Sequence, residues 1–101
     1  MGMITESVSV NAENMFTGVF FPPGNPHYAD YGQFTVSVSG TFVATVTLQR
    51  SFDDGVTWKD VEAITAPIEK NYEDFTDGIK YRAGVKTGGY TSGTAEVILA
   101  K

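Results

Sequence analysis

From Gln33 onward the chain alternates apolar and polar residues with a period of two. In QFTVSVS, Phe34, Val36 and Val38 fall on one face and Thr35, Ser37 and Ser39 on the other. TFVATVTLQRS sets Phe42, Ala44, Val46 and Leu48 against Val43, Thr45, Thr47 and Gln49. IKYRAGVK sets Ile79, Tyr81, Ala83 and Val85 against Lys80, Arg82, Gly84 and Lys86, and TAEVILA closes the chain with Ala95, Val97 and Leu99 on one face. Successive side chains of a strand point to opposite sides, so each run predicts a half-buried strand over one core. Ser39-Gly40 predicts a turn that pairs the first two runs antiparallel. KDVEAIT reads as a further strand, and IEKNYEDF, behind Pro67, as another with Ile68 and Tyr72 at intervals. Asp77-Gly78 is a turn signal, and TGGYTSG, residues 87–93, reads as a loop.

The first 31 residues are less regular. ITESVSV alternates Ile4, Glu6, Val8 and Val10 against Thr5, Ser7 and Ser9, which suits an edge strand. In FTGVFFPPGNPHYADYG, Pro22, Pro23 and Pro26 remove backbone donors and break any ladder, so residues 22–31 read as a loop. Phe16, Val19, Phe20 and Phe21 are too apolar for a free linker and should bury themselves on this domain or on a partner. The organisation expected is one domain: an N-terminal edge strand and Pro-rich arm over residues 1–31, then a β-sandwich core over 32–101. The class is all-β, an antiparallel two-sheet sandwich of about seven or eight strands, with a small closed barrel as the alternative.

Composition narrows the chemistry. With 101 residues there is enough chain for one core. A net charge of −5, from 12 acidic and 7 scattered basic residues, repels phosphate backbones, so nucleic acid is not an expected partner. The absence of cysteine excludes a disulfide framework, a thiolate metal site and a cysteine nucleophile, and it suits assembly in a reducing cytosol. No apolar run approaches the ~20 residues of a membrane-spanning helix, and MGMITESVSV lacks the pattern of a secretory leader, so no membrane partner is expected.

SFDDGVTW, residues 51–58, fits Ser-x-Asp-x-Gly-x-Thr-Trp at Ser51, Asp53, Gly55, Thr57 and Trp58. The pattern resembles the Asp-box of sialidase propeller blades. A propeller repeats blades of roughly 40–50 residues several times over, which this chain cannot do. The residues suffice as a structural hairpin. Gly55 reaches positive φ, Asp53 accepts the free N–H groups of the turn, and Trp58 folds over it. Asp53, Asp54 and Glu62 lack the ligand spacing of a calcium loop. The lone His27 has no Gly-x-Ser-x-Gly nucleophile and no companion ligands for zinc. Glu73 and Asp74 are strand neighbours facing opposite ways and, with Asp77, read as a solvated strand end rather than a glycosidase pair. TGGYTSG lacks the Lys-Ser/Thr ending of a phosphate loop and reads as a hairpin tip displaying Tyr90. Arg82 is expected to pair with an acid on an adjacent strand, such as Glu96. No catalytic, cofactor-binding or metal-binding residue is therefore assigned, and no enzymatic activity is expected. Phe16, Phe20, Phe21 and Tyr90 remain as candidate partner contacts.

Two longer stretches, SGTFVATVTLQRSFDDGVTW and YRAGVKTGGYTSGTAEVILAK, resemble a set of small all-β proteins encoded by tailed bacteriophages and prophages. The shared features are Ser39 to Phe42, Thr45 to Ser51, Asp53 to Trp58, Tyr81-Arg82 and Thr91 to Thr94, within residues 33–101. The resemblance implies a virion structural protein with an Ig-like or related sandwich, either a head decoration (cement) subunit or a tail or fibre component. It implies the major capsid protein or other virion proteins as partners, and a homo-oligomer or many copies on a lattice. The location implied is the virion, assembled in the host cytoplasm. A carbohydrate-binding module is the competing expectation, with Tyr28, Tyr31, Tyr72, Tyr90 and Trp58 as its candidate aromatics.

Overall fold

The structure is a computed structural model and describes residues 5–22, 32–76 and 78–101. These form ten strands and no helix: β1 (Thr5–Val10), β2 (Met15–Phe16), β3 (Gln33–Ser39), β4 (Phe42–Ala44), β5 (Val46–Ser51), β6 (Lys59–Ile64), β7 (Ile68–Glu73), β8 (Lys80–Val85), β9 (Tyr90–Gly93) and β10 (Ala95–Ala100). The first sheet has the order β1-β10-β3-β7 and the second β2-β8-β5-β6, all pairs antiparallel. A two-stranded ribbon, β4-β9, joins them. The chain is thus an all-β antiparallel sandwich. It has more strands than the pattern suggests, because one long run is cut in two and two short elements, β2 and β9, lie where no alternation marks them.

The cut run is 42–51, and it corrects the expected pairing. Ser39-Gly40 does not fold β3 back onto the next strand. β3 pairs instead with β10 (Val38↔Val97), β4 with β9 (Phe42↔Gly93) and β5 with β8 (Thr47↔Gly84). Residues 35–51 therefore run antiparallel to 80–100 along one ladder that passes out of the first sheet, through the ribbon and into the second. The register slips at Val43/Ala44 and again where the Lys86–Gly89 turn intervenes and the Thr45 N–H donates to the Gly89 carbonyl (2.8 Å). TGGYTSG is accordingly a turn followed by strand β9, not a loop throughout.

The bend has a backbone cause. Gly40 and Gly93 take φ of +102° and +85°, in the left-handed region that side chains disfavour. A Cβ on Gly93 would overlap the Thr41 carbonyl, and one on Gly40 would overlap the Thr94 carbonyl. The Thr94 N–H donates to Thr41 O (2.9 Å) across this corner. Only glycine lets the two backbones approach so closely while the ladder turns.

The core lies between the sheets. Val36, Val38, Val97 and Leu99 from the first face Val46, Leu48, Ala83 and Val85 from the second, all essentially without exposure. Phe34 is the hub, with ring centroids 4.8 Å from Tyr81, 5.5 Å from Tyr72 and 5.7 Å from Phe20. The N-terminal residues belong to this core. β1 is the edge strand that its alternation predicts, and Val10 and Phe20 are each 1% exposed. The segment after β1 is stitched along β8: Thr17 N–H donates to Ala83 O (2.8 Å), while Phe20 and Tyr81 exchange both backbone bonds at 2.7 Å. Described residues on both sides of the boundary expected between 31 and 32 thus contribute to one core. On the β6–β7 side the sandwich is closed by Glu62, which accepts from Tyr72 Oη (2.5 Å) and Lys70 Nζ (3.0 Å).

The corner makes a testable difference between glycines. Gly78 also has positive φ (+80°) but would place a Cβ in open space. Gly78→Ala should cost only the conformational term, about 1–2 kcal/mol. Gly93→Ala should cost about 3 kcal/mol or more, since the ladder must also part. Urea unfolding of the two variants checks the order.

Candidate functional site

SFDDGVTW forms the connection between β5 and β6, as its residues dictate. Ser51 Oγ accepts from Gly55 N–H (2.8 Å) and Asp53 N–H (3.3 Å) and donates to Asp53 Oδ1 (2.7 Å). Asp53 Oδ1 also accepts from Thr57 N–H (2.8 Å). Asp54 and Gly55 carry the positive φ angles, +62° and +87°, and an atom added to Gly55 would meet the Trp58 ring in ordinary contact. Ser51 is fully buried while Asp53 is exposed, so the seryl oxygen organises the turn from inside and the carboxylate ties it from outside. The Thr57 and Ser51 hydrogen bonds hold the Asp53 carboxyl down at about 2. This carboxylate is therefore occupied in fixing a turn. Asp54 lies 3.5 Å from Lys80 and Glu62 is taken by Tyr72 and Lys70, so the carboxylates considered for calcium are separately engaged. Among the described residues no group of three His, Cys, Asp or Glu side chains is placed to hold a metal ion.

Behind the hairpin lies a polar cluster that sequence reasoning missed. Asp74 is not part of a solvated strand end. It is 7% exposed and accepts from Arg50 Nη2 (2.8 Å), Tyr81 Oη (2.9 Å) and Thr76 N–H (3.0 Å). Burial pushes its pKa up, but the Thr76 donors, the Tyr81 hydroxyl and the Arg50 charge outweigh that and hold it below the ordinary value. Burial and the Asp74 contact raise the Tyr81 pKa in turn. Arg50 also stacks on the exposed Phe52 ring (4.6 Å). Its Nε is buried without a hydrogen-bond partner. Arg50 and Tyr81 are brought together by the β5–β8 pairing, which no local pattern announces. Nothing in the alternation announced that Asp74, just past β7, turns inward to meet them. Glu73 faces the other way, accepting from Gln33 (3.0 Å), so the two acids share no substrate position. Asp77 and His27 lie outside the described residues.

The outer face of the second sheet also departs from expectation. Thr47 and Gln49, expected outward, do lie on that side but are buried, because β5 is flanked on both edges and its outer face is covered. Arg82 does not meet Glu96, which sits in the other sheet and accepts from Ser9 (2.5 Å). The Arg82 guanidinium lies between Phe16 (4.1 Å) and Trp58 (4.5 Å), and its Nε donates to Gln49 Oε1 (2.8 Å). Gln49 Nε2 donates on to Asp60 (2.9 Å), which also receives Lys86 Nζ (2.6 Å). This row of groups clamps the hairpin, β8 and the N-terminal segment together.

The four candidate contact residues have distinct fates. Phe20 is in the core of this domain and has no surface to offer. Phe16 is half-buried against Arg82, and Phe21 half-buried with Lys80 Nζ 4.4 Å from its ring centroid. Tyr90 opens β9 instead of crowning a tip. It packs against the core, and its hydroxyl donates to Gly93 O (2.9 Å). The most exposed large apolar side chains are Val56 (81%) and Phe52 (62%) on the 51–58 hairpin, Val43 (59%) on β4 and Phe75 (57%) in the loop after β7.

The outer face of the first sheet is mostly polar, with Ile98 exposed among serine and glutamate. Thr35 pairs with Asn71 (2.8 Å), Ser37 with Glu69 (3.3 Å) and Ser9 with Glu96. An open cleft of about 500 Å³ at the β3–β7 end involves Gln33, Thr35, Asn71 and Glu73, whose polar groups already bond one another. Comparison with family models, with curated proteins and with solved structures finds no match for this chain.

Two outcomes test this account. Carbon-detected NMR titration should place the Asp53 carboxyl midpoint near 2. Because its folded pKa is depressed, the stability it contributes is complete above the unfolded value of 3.8 and is lost as pH falls through about 2. Asp74→Ala should destabilise by about 2–3 kcal/mol in urea, since it strands the Tyr81 hydroxyl and the partly hydrated Arg50 charge.

Proposed function

We propose that this protein is a structural component of a tailed-bacteriophage particle, a decoration or cement subunit that binds the capsid shell in many copies and stiffens it. The supporting observation is that the segments carrying the resemblance are one mechanical unit. Ser39 to Phe42 and Thr91 to Thr94 face each other at the glycine corner. Thr45 to Ser51 and Tyr81-Arg82 are paired strands beyond it, and Asp53 to Trp58 is the adjoining hairpin. The recurrent residues are those that make the brick, which fits a protein whose use lies in its shape and faces. The partners on this reading are the major capsid protein and further copies of the same chain, within the virion.

The mechanism is passive. A subunit bound across adjacent capsomers resists their separation, and a weak contact per subunit sums through multivalency on the lattice. The exposed Phe52, Val56 and Phe75, on the hairpin and the neighbouring loop, are apolar side chains available for such a contact. A tail or fibre position is the near alternative, from the same resemblance. A glycan-binding role finds less support in three of its five candidate aromatics: Trp58 is covered by Arg82, Tyr72 is stacked on Phe34 at 20°, and Tyr90 is packed on the core, while Tyr28 and Tyr31 lie outside the described residues.

Labelled protein mixed with purified expanded capsids should cosediment saturably, and Phe52→Ser with Phe75→Ser should weaken binding at least about tenfold, the loss of two buried rings. Absence of binding, together with absence of the protein from purified virions by mass spectrometry, would overturn the reading.

A further inference from the structure

Each sheet of an open sandwich ends in edge strands whose outward N–H and C=O groups lack a ladder, and folded chains normally guard them with brevity, charge, proline or a bulge. Three of the four edges here are guarded. β2 is two residues long. β6 carries a register shift opposite Leu48/Gln49 and is flanked by the ion pairs Asp60–Lys86 and Glu62–Lys70. β7 follows Pro67 and carries Glu69, Lys70 and Glu73. β1 differs. It runs six residues in unbroken register with β10, without proline, lysine or bulge. Among the described residues, no backbone hydrogen bond beyond those to β10 involves Thr5–Val10. Its one charge, Glu6, is half-buried on the core side, its carboxylate lying over Gly18.

We infer that β1 is a docking edge for a second copy of this chain, the two β1 strands pairing antiparallel about a twofold axis at Ser7. An isologous contact requires a strand complementary to its own reverse. In this register Thr5 faces Ser9 of the partner subunit, Ser7 faces the partner's Ser7, and Glu6 faces the partner's Val8. Hydroxyl meets hydroxyl on the solvent face, and the carboxylates are not set opposite one another, the arrangement that destabilises cross-strand pairs. The alternative axis at Val8 would bring Val10, which is 1% exposed beside the crossover to β2, into the contact. The Ser7 axis uses only Thr5 to Ser9. The product is a continuous eight-stranded sheet, β7-β3-β10-β1 and its mate.

Five residues of strand bury less than the ~1,000 Å² of a stable interface, so the dimer is weak in dilute solution and is strengthened where copies are concentrated. The net charge of −5 on each copy opposes it at range, so added salt strengthens it. The inference concerns the isolated chain and does not rest on the virion reading. Its failure would leave capsid binding untouched.

The absence of cysteine makes single-cysteine variants clean probes. At millimolar protein under mild oxidation, Ser7→Cys should form the symmetric disulfide at least about tenfold faster than Ser37→Cys, an outer-face position on the interior strand β3. In the unmodified protein, amide NMR shifts of residues 5–9 should move with concentration, and more so in 0.5 M than in about 0.05 M salt. Ser7→Lys, which sets like charges face to face, should abolish that movement while preserving the remaining spectrum. Equal oxidation rates for the two cysteine variants, or concentration-dependent shifts at β7 or β6 and none at β1, would overturn the inference. So would a spectrum that does not change with concentration.

Discussion

The fold depends on a single antiparallel pairing, residues 35–51 against 80–100, that leaves one sheet and enters the other without ending. A two-stranded ribbon cannot bury both of its faces, and it gains little stability alone. Bent upon itself, it turns one face of each half inward. Val36, Val38, Val97 and Leu99 then meet Val46, Leu48, Ala83 and Val85. The bend is possible because the backbones at Gly40 and Gly93 approach more closely than any side chain allows. The remaining strands are added to the margins of this folded ribbon: β1 and β7 to one half, β2 and β6 to the other.

The margins are secured by polar groups more than by further apolar burial. Arg50, Asp74 and Tyr81 lock the loop after β7 to the second sheet, and Glu62 spans from β6 to β7. Arg82, held between Phe16 and Trp58, ties the N-terminal segment to the hairpin. Ser51 and Asp53 spend their hydrogen-bonding capacity on the turn that carries Trp58. Arg50, Ser51, Asp53, Glu62, Asp74 and Arg82 are thus committed to holding neighbouring segments in place.

What remains for interaction is surface. One end carries exposed Phe52, Val56 and Phe75, one sheet presents an outer face rich in serine, threonine and glutamate, and among the described residues the edge strand β1 has no ladder on its outer side. Each is suited to contact with another protein, and a chain that repeats on a lattice makes use of such surfaces even when each is weak.

The positions of the longer strands, the facing of β3, β8 and β10, the edge character of β1 and the role of Asp53 in the SFDDGVTW turn were legible in the sequence; β2, β9 and the central place of Ser51 Oγ were not. The legible features rest on local rules: a period of two, the φ preference of glycine, the reach of an aspartate over its own turn. The partner of each strand was not legible. Gly40 signals a turn equally well whether the chain folds back into the same sheet or crosses to the other, and only the close approach to Thr94 decides it. The burial of Asp74 was hidden for a similar reason. A charge just past a strand end turns inward only if Arg50 and Tyr81 wait for it, and those residues lie far away in sequence. Local patterning set which residues form strands and which face is apolar. Long-range pairing, whose geometry depends on where the backbones can touch, set which strands are neighbours and which polar groups the interior keeps.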